Sequence, residues 1–353
     1  MKPRQITLDD IGHYDEIIDV RSPAEFAEDH IPGAINCPVL DDEQRIQVGT
    51  MYKQVSPFEA KKIGAALVSE NIARHLRERF LDRPKNWKPL IYCWRGGNRS
   101  GSMTTIFRAI GWAAGQLDGG YKIYRTHVVN TLAVKPQQFR FKVICGATGS
   151  AKTRVLQAIG ELGEQVLDLE SLASHKGSVL GILPDEPQPT QKWFETLLLE
   201  NLGRFDPARP VYVEAESRKI GNLHLPQALI DAIRAGECME IKASLPARID
   251  FLLEDYAYFF SRKPLLIKRL DALKSLQSKE TLARWGALVE NDQWSTLVQE
   301  LLELHYDALY QRSQNRNFTG FQNPADFSTE DLSATGIKQL AQEIVQSRTA
   351  QIA

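Results

Sequence analysis

Cysteine is scarce: Cys37, Cys93, Cys145 and Cys238 are the only four in 353 residues, widely spaced and without a CxxC pair. This argues against both a disulfide framework and a structural zinc site. Net charge is nearly absent, with 43 Lys+Arg against 44 Asp+Glu, so no global basic field advertises nucleic acid and partners must be argued from local sites. No apolar run approaches the roughly 18 residues that span a bilayer, and the amino terminus lacks a signal-like apolar region. The expectation is a cytoplasmic protein with no membrane contact. Internal repeats and low-complexity segments are also missing. The length suits two domains, each able to bury its own core.

What is present is an α/β pattern. Up to about residue 130, short apolar runs ("EIIDV", "PLIYC") alternate with helical stretches ("SPAEFAEDH", 57 to 82, "SGSMTTIFRAIGW"), which predicts a parallel sheet. The polar segment 131–138, "TLAVKPQQ" with Pro136, reads as a linker. A second α/β domain is expected over 139–353, with strands at "FRFKVIC", "QVLDL", "PVYVEA" and "CMEIKAS". From 246 to 312 the pattern is helical with almost no glycine, which predicts a helical subdomain.

The run "YCWRGGNRSGS" (92–102) carries the first chemistry. A strand delivers Cys93 to a loop, and a helix begins near Ser100, so the thiol lies at a helix amino terminus. There, backbone amides of the Gly96-Gly97 turn and the charges of Arg95 and Arg99 lower its pKa and make an anion cradle. The spacing is Cys-x5-Arg, which also describes the phosphate loop of cysteine phosphatases. Transfer and phosphatase chemistry therefore compete. A buried cysteine in a glycine-rich turn is the bland alternative, disfavoured by the two arginines.

The second chemistry is "GATGSAKT" (146–153), placed between an apolar strand and a helix as a Walker A loop would be. Gly146, Thr148, Gly149, Ser150, Lys152 and Thr153 are the expected diphosphate-binding residues, Lys152 on the terminal oxygens and Thr153 able to hold Mg²⁺. Ala151 stands where the pattern has its second glycine. Glu214 and Glu216 compete as the Walker B acid. Asp168 and Glu170 end a strand, and His175, Lys176, Gly177 and Ser178 follow. Taken alone, these would be a helix cap and surface polar groups.

"DVRSPAEFAEDHIPGAINCPV" (19–39), with Asp19, Arg21, Glu25 and His30–Ala34, resembles the amino-terminal signature of rhodanese-like domains, and "LDGGYKIYR" (117–125) resembles their carboxyl-terminal motif. In such domains the loop cysteine carries sulfur, or a related chalcogen, as a persulfide-like adduct. The extra residue in the loop resembles the phosphatase-like branch of the fold. However, Tyr92 replaces the histidine that usually precedes a phosphatase nucleophile, and no aspartate is placed as the acid, which favours transfer.

A rhodanese-like domain fused to a P-loop NTPase-like α/β domain resembles the tRNA 2-selenouridine synthase family. "VGTMYKQ" (48–54), "DLESLASHKGS" (168–178), "ESRKIGNLHLP" (216–226) and "ELHYDALYQ" (303–311) are similar to its signatures. The resemblance implies a division into a rhodanese-like domain (1–130) and a P-loop domain (139–353). It implies replacement of sulfur by selenium in wobble 2-thiouridine of tRNA, with selenophosphate as donor and an S-geranyl intermediate made from geranyl diphosphate. It makes Cys93 the selenium-transfer residue and the P-loop the diphosphate site. The family has glycine where Ala151 stands. No tightly bound cofactor is implied, and the anticodon loop is expected to present its base unstacked, between the domains.

For gripping tRNA, "SRKPLLIKRLDALK" offers Arg262, Lys263, Lys268, Arg269 and Lys274 on one predicted helix, with a solvated helix face as the equal alternative. Tyr256, Tyr258, Phe259 and Phe260 could stack bases, although such density is more often core. A cysteine phosphatase and a P-loop kinase with a regulatory rhodanese domain are the competing functions.

Overall fold

The computed structural model describes residues 6–310 and 324–347. Residues 311 and 312, at the end of the predicted helical stretch, lie outside them. The chain divides into two compact units, Met1–Thr131 and Leu132–Ala353.

In the first unit, β1 (Glu16–Asp19), β2 (Ala34–Asn36), β3 (Pro89–Tyr92) and β4 (Gly115–Gln116) form a parallel sheet in the order β2-β1-β3-β4. All four β3 residues are buried, as expected of a parallel strand covered on both faces. The register pairs Asp19 with Tyr92, so the carboxyl ends of β1 and β3, and the loops that leave them, are neighbours. Helix α1 (Pro23–Glu28) opens with a Ser22/Glu25 capping box and Pro23 in its first turn. Helices α2 (Asp42–Gln54), α3 (Pro57–His75), α4 (Asn98–Ile110) and α5 (Gly120–Leu132) complete the unit. Its core holds Ile18, Val20, Ile91, Met103 and an edge-packed group of Phe80, Trp87, Phe107 and Trp112. Within segment 131–138, α5 extends to Leu132, and Lys135–Gln138 close a 3-10 turn that buries Pro136.

The second unit is built on the fully buried strand β5 (Phe141–Gly146), with β6 (Gln165–Leu167), β7 (Val211–Glu214), β10 (Glu237–Ala243) and β11 (Ala325–Thr329). These strands are parallel in the order β11-β10-β5-β7-β6; β8 (Lys219–Ile220) and β9 (Leu223–His224) form a separate small ribbon. Helices α6 (Lys152–Glu161), α7 (Leu169–Ala173), α8 (Gln191–Arg204) and α9 (Gln227–Arg234) follow the strands. The helical region contains α10 (Leu245–Asp255), α11 (Lys263–Leu270), α12 (Lys279–Glu290) and α13 (Trp294–Leu301), which continues through a wider turn at Leu302–Tyr306. It has its own core around Leu266, Leu270, Trp285, Val289 and Leu297. Strand β11 and helix α14 (Ala334–Gln346) were not anticipated from the sequence. β11 is short, alternates polar and apolar residues and lies at the sheet edge, while Ile337, Leu340, Ala341 and Ile344 of α14 pack in the same core as Val155 and Ile159 of α6. Among the described residues, no helix is long and apolar enough to cross a membrane.

Candidate active sites

Cys93 follows β3 and is 3 % exposed, yet its sulfur lies on hydrogen-bond donors. It accepts from the Gly97 amide at 3.3 Å, at the amino terminus of α4, and from the Ser100 hydroxyl at 3.2 Å. Burial alone would raise the thiol pKa. Ser100, through hydroxyl and amide, the Arg95 amide and the charge of Arg99 outweigh it, and the pKa falls below the ordinary thiol value. The contrast with Cys37 is informative: there burial outweighs the charge and hydrogen bond of Arg79, and the thiol is pushed up to about 11. Gln116 holds the loop, donating to the carbonyls of Gly96 and Gly97 and to the Ser100 oxygen. Removing the Ser100 donor should move the pH profile of Cys93 alkylation upward. Iodoacetamide labelling of Ser100→Ala followed by peptide mass analysis checks this, and an unmoved profile would remove Ser100 from the argument.

The rhodanese-like signature residues build the wall behind this loop. Asp19 and Arg21, both buried, pair at 2.6 Å, and Arg21 also donates to the Asp29 carbonyl and lies 3.9 Å from the centre of the Tyr121 ring. Glu25 binds Arg99 at 2.6 Å, so this arginine approaches the thiol with part of its charge already answered. Arg95 differs from expectation: its side chain is exposed, and its amide is what acts on the sulfur. Tyr92, in place of a phosphatase histidine, turns into the core and accepts the Ile31 amide at 3.1 Å.

The motif "LDGGY" clamps the loop from the other side, with the Tyr121 amide donating to the Cys93 carbonyl at 2.8 Å and that of Lys122 to Trp94 at 2.9 Å. Gly120 has φ +55, and a Cβ there would lie 2.2 Å from the Cys93 carbonyl oxygen and 2.6 Å from the Gly96 nitrogen. Gly120→Ala therefore combines a left-handed alanine with a backbone collision and should cost about 2–5 kcal/mol, with slower Cys93 alkylation. Urea unfolding of the variant measures the first, and a stability unchanged within error would contradict the packing described.

In the second unit the P-loop leaves β5 at Gly146. Thr148, Gly149, Ala151, Lys152 and Thr153 line a cleft of about 870 Å³, whereas Gly146 and Ser150 do not. Ser150 turns inward: its amide donates to the Ala147 carbonyl and its hydroxyl is buried over Gly146. Lys152 folds back onto the carbonyls of Gly146 (2.9 Å) and Ala147 (3.3 Å), a position from which its ammonium can swing to an anion. Ala151 adopts φ 57, ψ 27, the left-handed conformation for which glycine is usual. The strain of about 1–2 kcal/mol is offset in part by burial of its methyl, worth about 0.8 kcal/mol. The loop is also braced by Arg248, which donates to the Thr148 carbonyl at 2.8 Å and pairs with Asp307 at 2.6 Å.

The candidate acids are redistributed. Asp168 is a helix cap, accepting from the Ser171 amide and from Gln157. Glu214 is fully buried and accepts the Glu170 amide at 2.9 Å, so it supports the site without lining the cleft. Glu170 and Glu216 do line it. Thr153 donates to Glu170 at 2.7 Å, and both carboxylates converge on Gly177, where a Cβ would lie 2.7–2.9 Å from their oxygens. Burial raises both pKa values, joined by the charge of Asp168 at Glu170 and by that of Glu170 at Glu216. His175 is not a surface residue; it is buried, and burial followed by the charge of Arg269 lowers its pKa. Lys176 is fixed by Asp255 at 2.6 Å, over the Tyr256 ring. The motifs around 168–178, 216 and 303–310 thus meet at one cleft.

The proposed tRNA face is less basic than its sequence suggests. Arg262 pairs with Asp185 and Lys263 with Asp292, both at 2.8 Å; Arg269 is half-buried, while Lys268 and Lys274 are exposed. The aromatics are occupied as well: Tyr256, Tyr258 and Phe259 pack in the helical core, and Phe260 stacks on Trp294 at 4.7 Å.

Residues 6–127 match the model of the rhodanese-like domain, and residues 139–264 match that of the tRNA 2-selenouridine synthase AAA domain. A tRNA 2-selenouridine synthase of Nitrosomonas europaea is 37% identical over 68% of this chain and 63% of its own, and one of Alcanivorax borkumensis is 38% identical over 68% and 66%. The alignments with these relatives thus span a little under two thirds of their length. Another, from a Sulfurovum species, is 30% identical over 86% of this chain and 83% of its own. With both domain models in sequence and this relative aligned over most of its length, the chain belongs to the tRNA 2-selenouridine synthase family.

Proposed function

We propose that the chain is a cytoplasmic enzyme that replaces sulfur by selenium in wobble 2-thiouridine of tRNA, taking selenium from selenophosphate and passing through an S-geranyl intermediate made from geranyl diphosphate. The observation that carries this reading is the presence in one chain of two built sites, a low-pKa thiol and a P-loop cleft. In the first step the thiocarbonyl sulfur forms a bond to C1 of the geranyl group while the carbon–oxygen bond to diphosphate breaks. Amides of the P-loop and Lys152 would take the charge of the departing diphosphate. In the second step selenium bonds to C2 and the geranyl thiolate leaves, a better leaving group than the unalkylated sulfur. Cys93, with Arg99 and the loop amides, would serve the transfer of selenium from its phosphate-bearing donor.

Thr153, Glu170 and Glu216 line the cleft as an all-oxygen donor set whose chemistry suits Mg²⁺, with Thr153 donating to Glu170 at 2.7 Å. Mg²⁺ held there would neutralise diphosphate charge.

Incubation with thiouridine-containing tRNA, selenophosphate and geranyl diphosphate, followed by mass spectrometry of the nucleosides, tests the proposal. S-geranyl-thiouridine and selenouridine are expected. Phosphate release without either nucleoside would favour a phosphatase, and ATP turnover without either would favour a kinase.

A further inference from the structure

Beside the P-loop cleft lies a second hollow of different chemistry. It is a cavity of about 70 Å³ among α10, α11 and α13, walled by hydrocarbon from Leu253, Phe259, Leu266, Trp294, Leu297 and Val298. By volume it has room for about five waters, yet such a wall offers few hydrogen-bond partners, and cavities of this kind stay dry and take apolar guests. The two spaces adjoin: Thr148, Ser178, Leu252, Tyr256 and Tyr306 line both. A molecule reaching from one to the other therefore needs an anionic head for the P-loop and a hydrocarbon tail for the cavity. A nucleoside triphosphate does not meet this description, because its base and ribose would leave hydrogen-bonding groups unpaired against leucine, phenylalanine and tryptophan.

We infer that this cavity receives the hydrocarbon tail of the prenyl diphosphate whose head lies on the P-loop. The inference rests on the assignment of the P-loop to a diphosphate in the proposed function and adds the tail site. It gives the helical region a role in substrate selection, since branched methyls on the tail would be held by the α10–α13 wall while Lys152 and the loop amides hold the head. The Phe260–Trp294 stack then serves as part of that wall and not as a platform for bases.

The affinities of the full chain for geranyl diphosphate and for inorganic diphosphate, measured by calorimetry, test this. Wild type should bind the prenyl form at least ~100-fold tighter, from several buried methylenes at about 0.8 kcal/mol each. Val298→Phe, which fills the cavity, and Leu253→Ala, which thins its wall, should each reduce that preference by ~10-fold or more while inorganic diphosphate affinity stays within about twofold. Undiminished preference in both variants overturns the tail site. So does a wild type that binds inorganic diphosphate as tightly as the prenyl form, which would leave the P-loop assignment standing. Binding of neither ligand would overturn both.

Discussion

Selenium incorporation into tRNA is expected to fall by at least ~10³-fold in Cys93→Ser, while S-geranyl-thiouridine continues to form. Serine fills the same space, so the fold should persist. Its hydroxyl, however, is not ionised by the donors that serve the thiol: the Gly97 amide, the Ser100 hydroxyl and the α4 terminus lower a pKa that begins modestly above neutrality for sulfur but far above it for oxygen. Cys37 and Cys145 are no substitutes: burial pushes Cys37 up to about 11, and a hydrogen bond to Cys238, with burial, holds the Cys145 thiol up. Cys238, lowered by that same bond, is buried on β10 of the second unit, whereas the Cys93 loop belongs to the first. Nucleoside mass spectrometry of the variant is the measurement, and selenouridine at wild-type yield would remove Cys93 from the chemistry.

Lys152→Ala should show the opposite pattern. Loss of a charge-assisted contact to the leaving diphosphate is expected to slow geranylation by about 10²–10³-fold. The fold should tolerate the change, because among the described residues the ammonium of Lys152 hydrogen-bonds to carbonyls of its own loop, Gly146 and Ala147, and otherwise acts through its charge on Glu170 and Glu216. Single-turnover geranylation, with thermal melting as the control for folding, checks this. A variant that melts normally and geranylates at the wild-type rate would contradict the assignment of the P-loop.

Much of this arrangement was legible in the sequence because its elements are local. An apolar strand followed by a glycine turn and a helix announces both the Cys93 loop and the P-loop, since each needs only contiguous residues to form. The buried strands β3 and β5 read as continuous apolar runs for the same reason. What was not legible depends on distant pairing. That Glu25 answers Arg99, that Arg248 bridges Thr148 and Asp307, and that Glu170 rather than Asp168 faces the cleft are outcomes of packing between segments 17 to 100 residues apart. The helical stretch showed its period but not its cavity, because spacing reports which side of a helix is apolar and not whether the facing side chains leave space. The inward turn of Ser150 was not legible, since a loop motif does not tell which side chains point inward. The ion pairs of Arg262 and Lys263 were not legible either, because Asp185 and Asp292 lie far from them in sequence.

The central claim is that two chemical steps are divided between the thiol loop and the P-loop. It is tested most directly by supplying tRNA already carrying S-geranyl-2-thiouridine, together with selenophosphate, to both variants. Lys152→Ala, relieved of its slowed step, should produce selenouridine at close to the wild-type rate, and Cys93→Ser should produce none. Selenation by Cys93→Ser, or failure of Lys152→Ala on this substrate, would contradict the division.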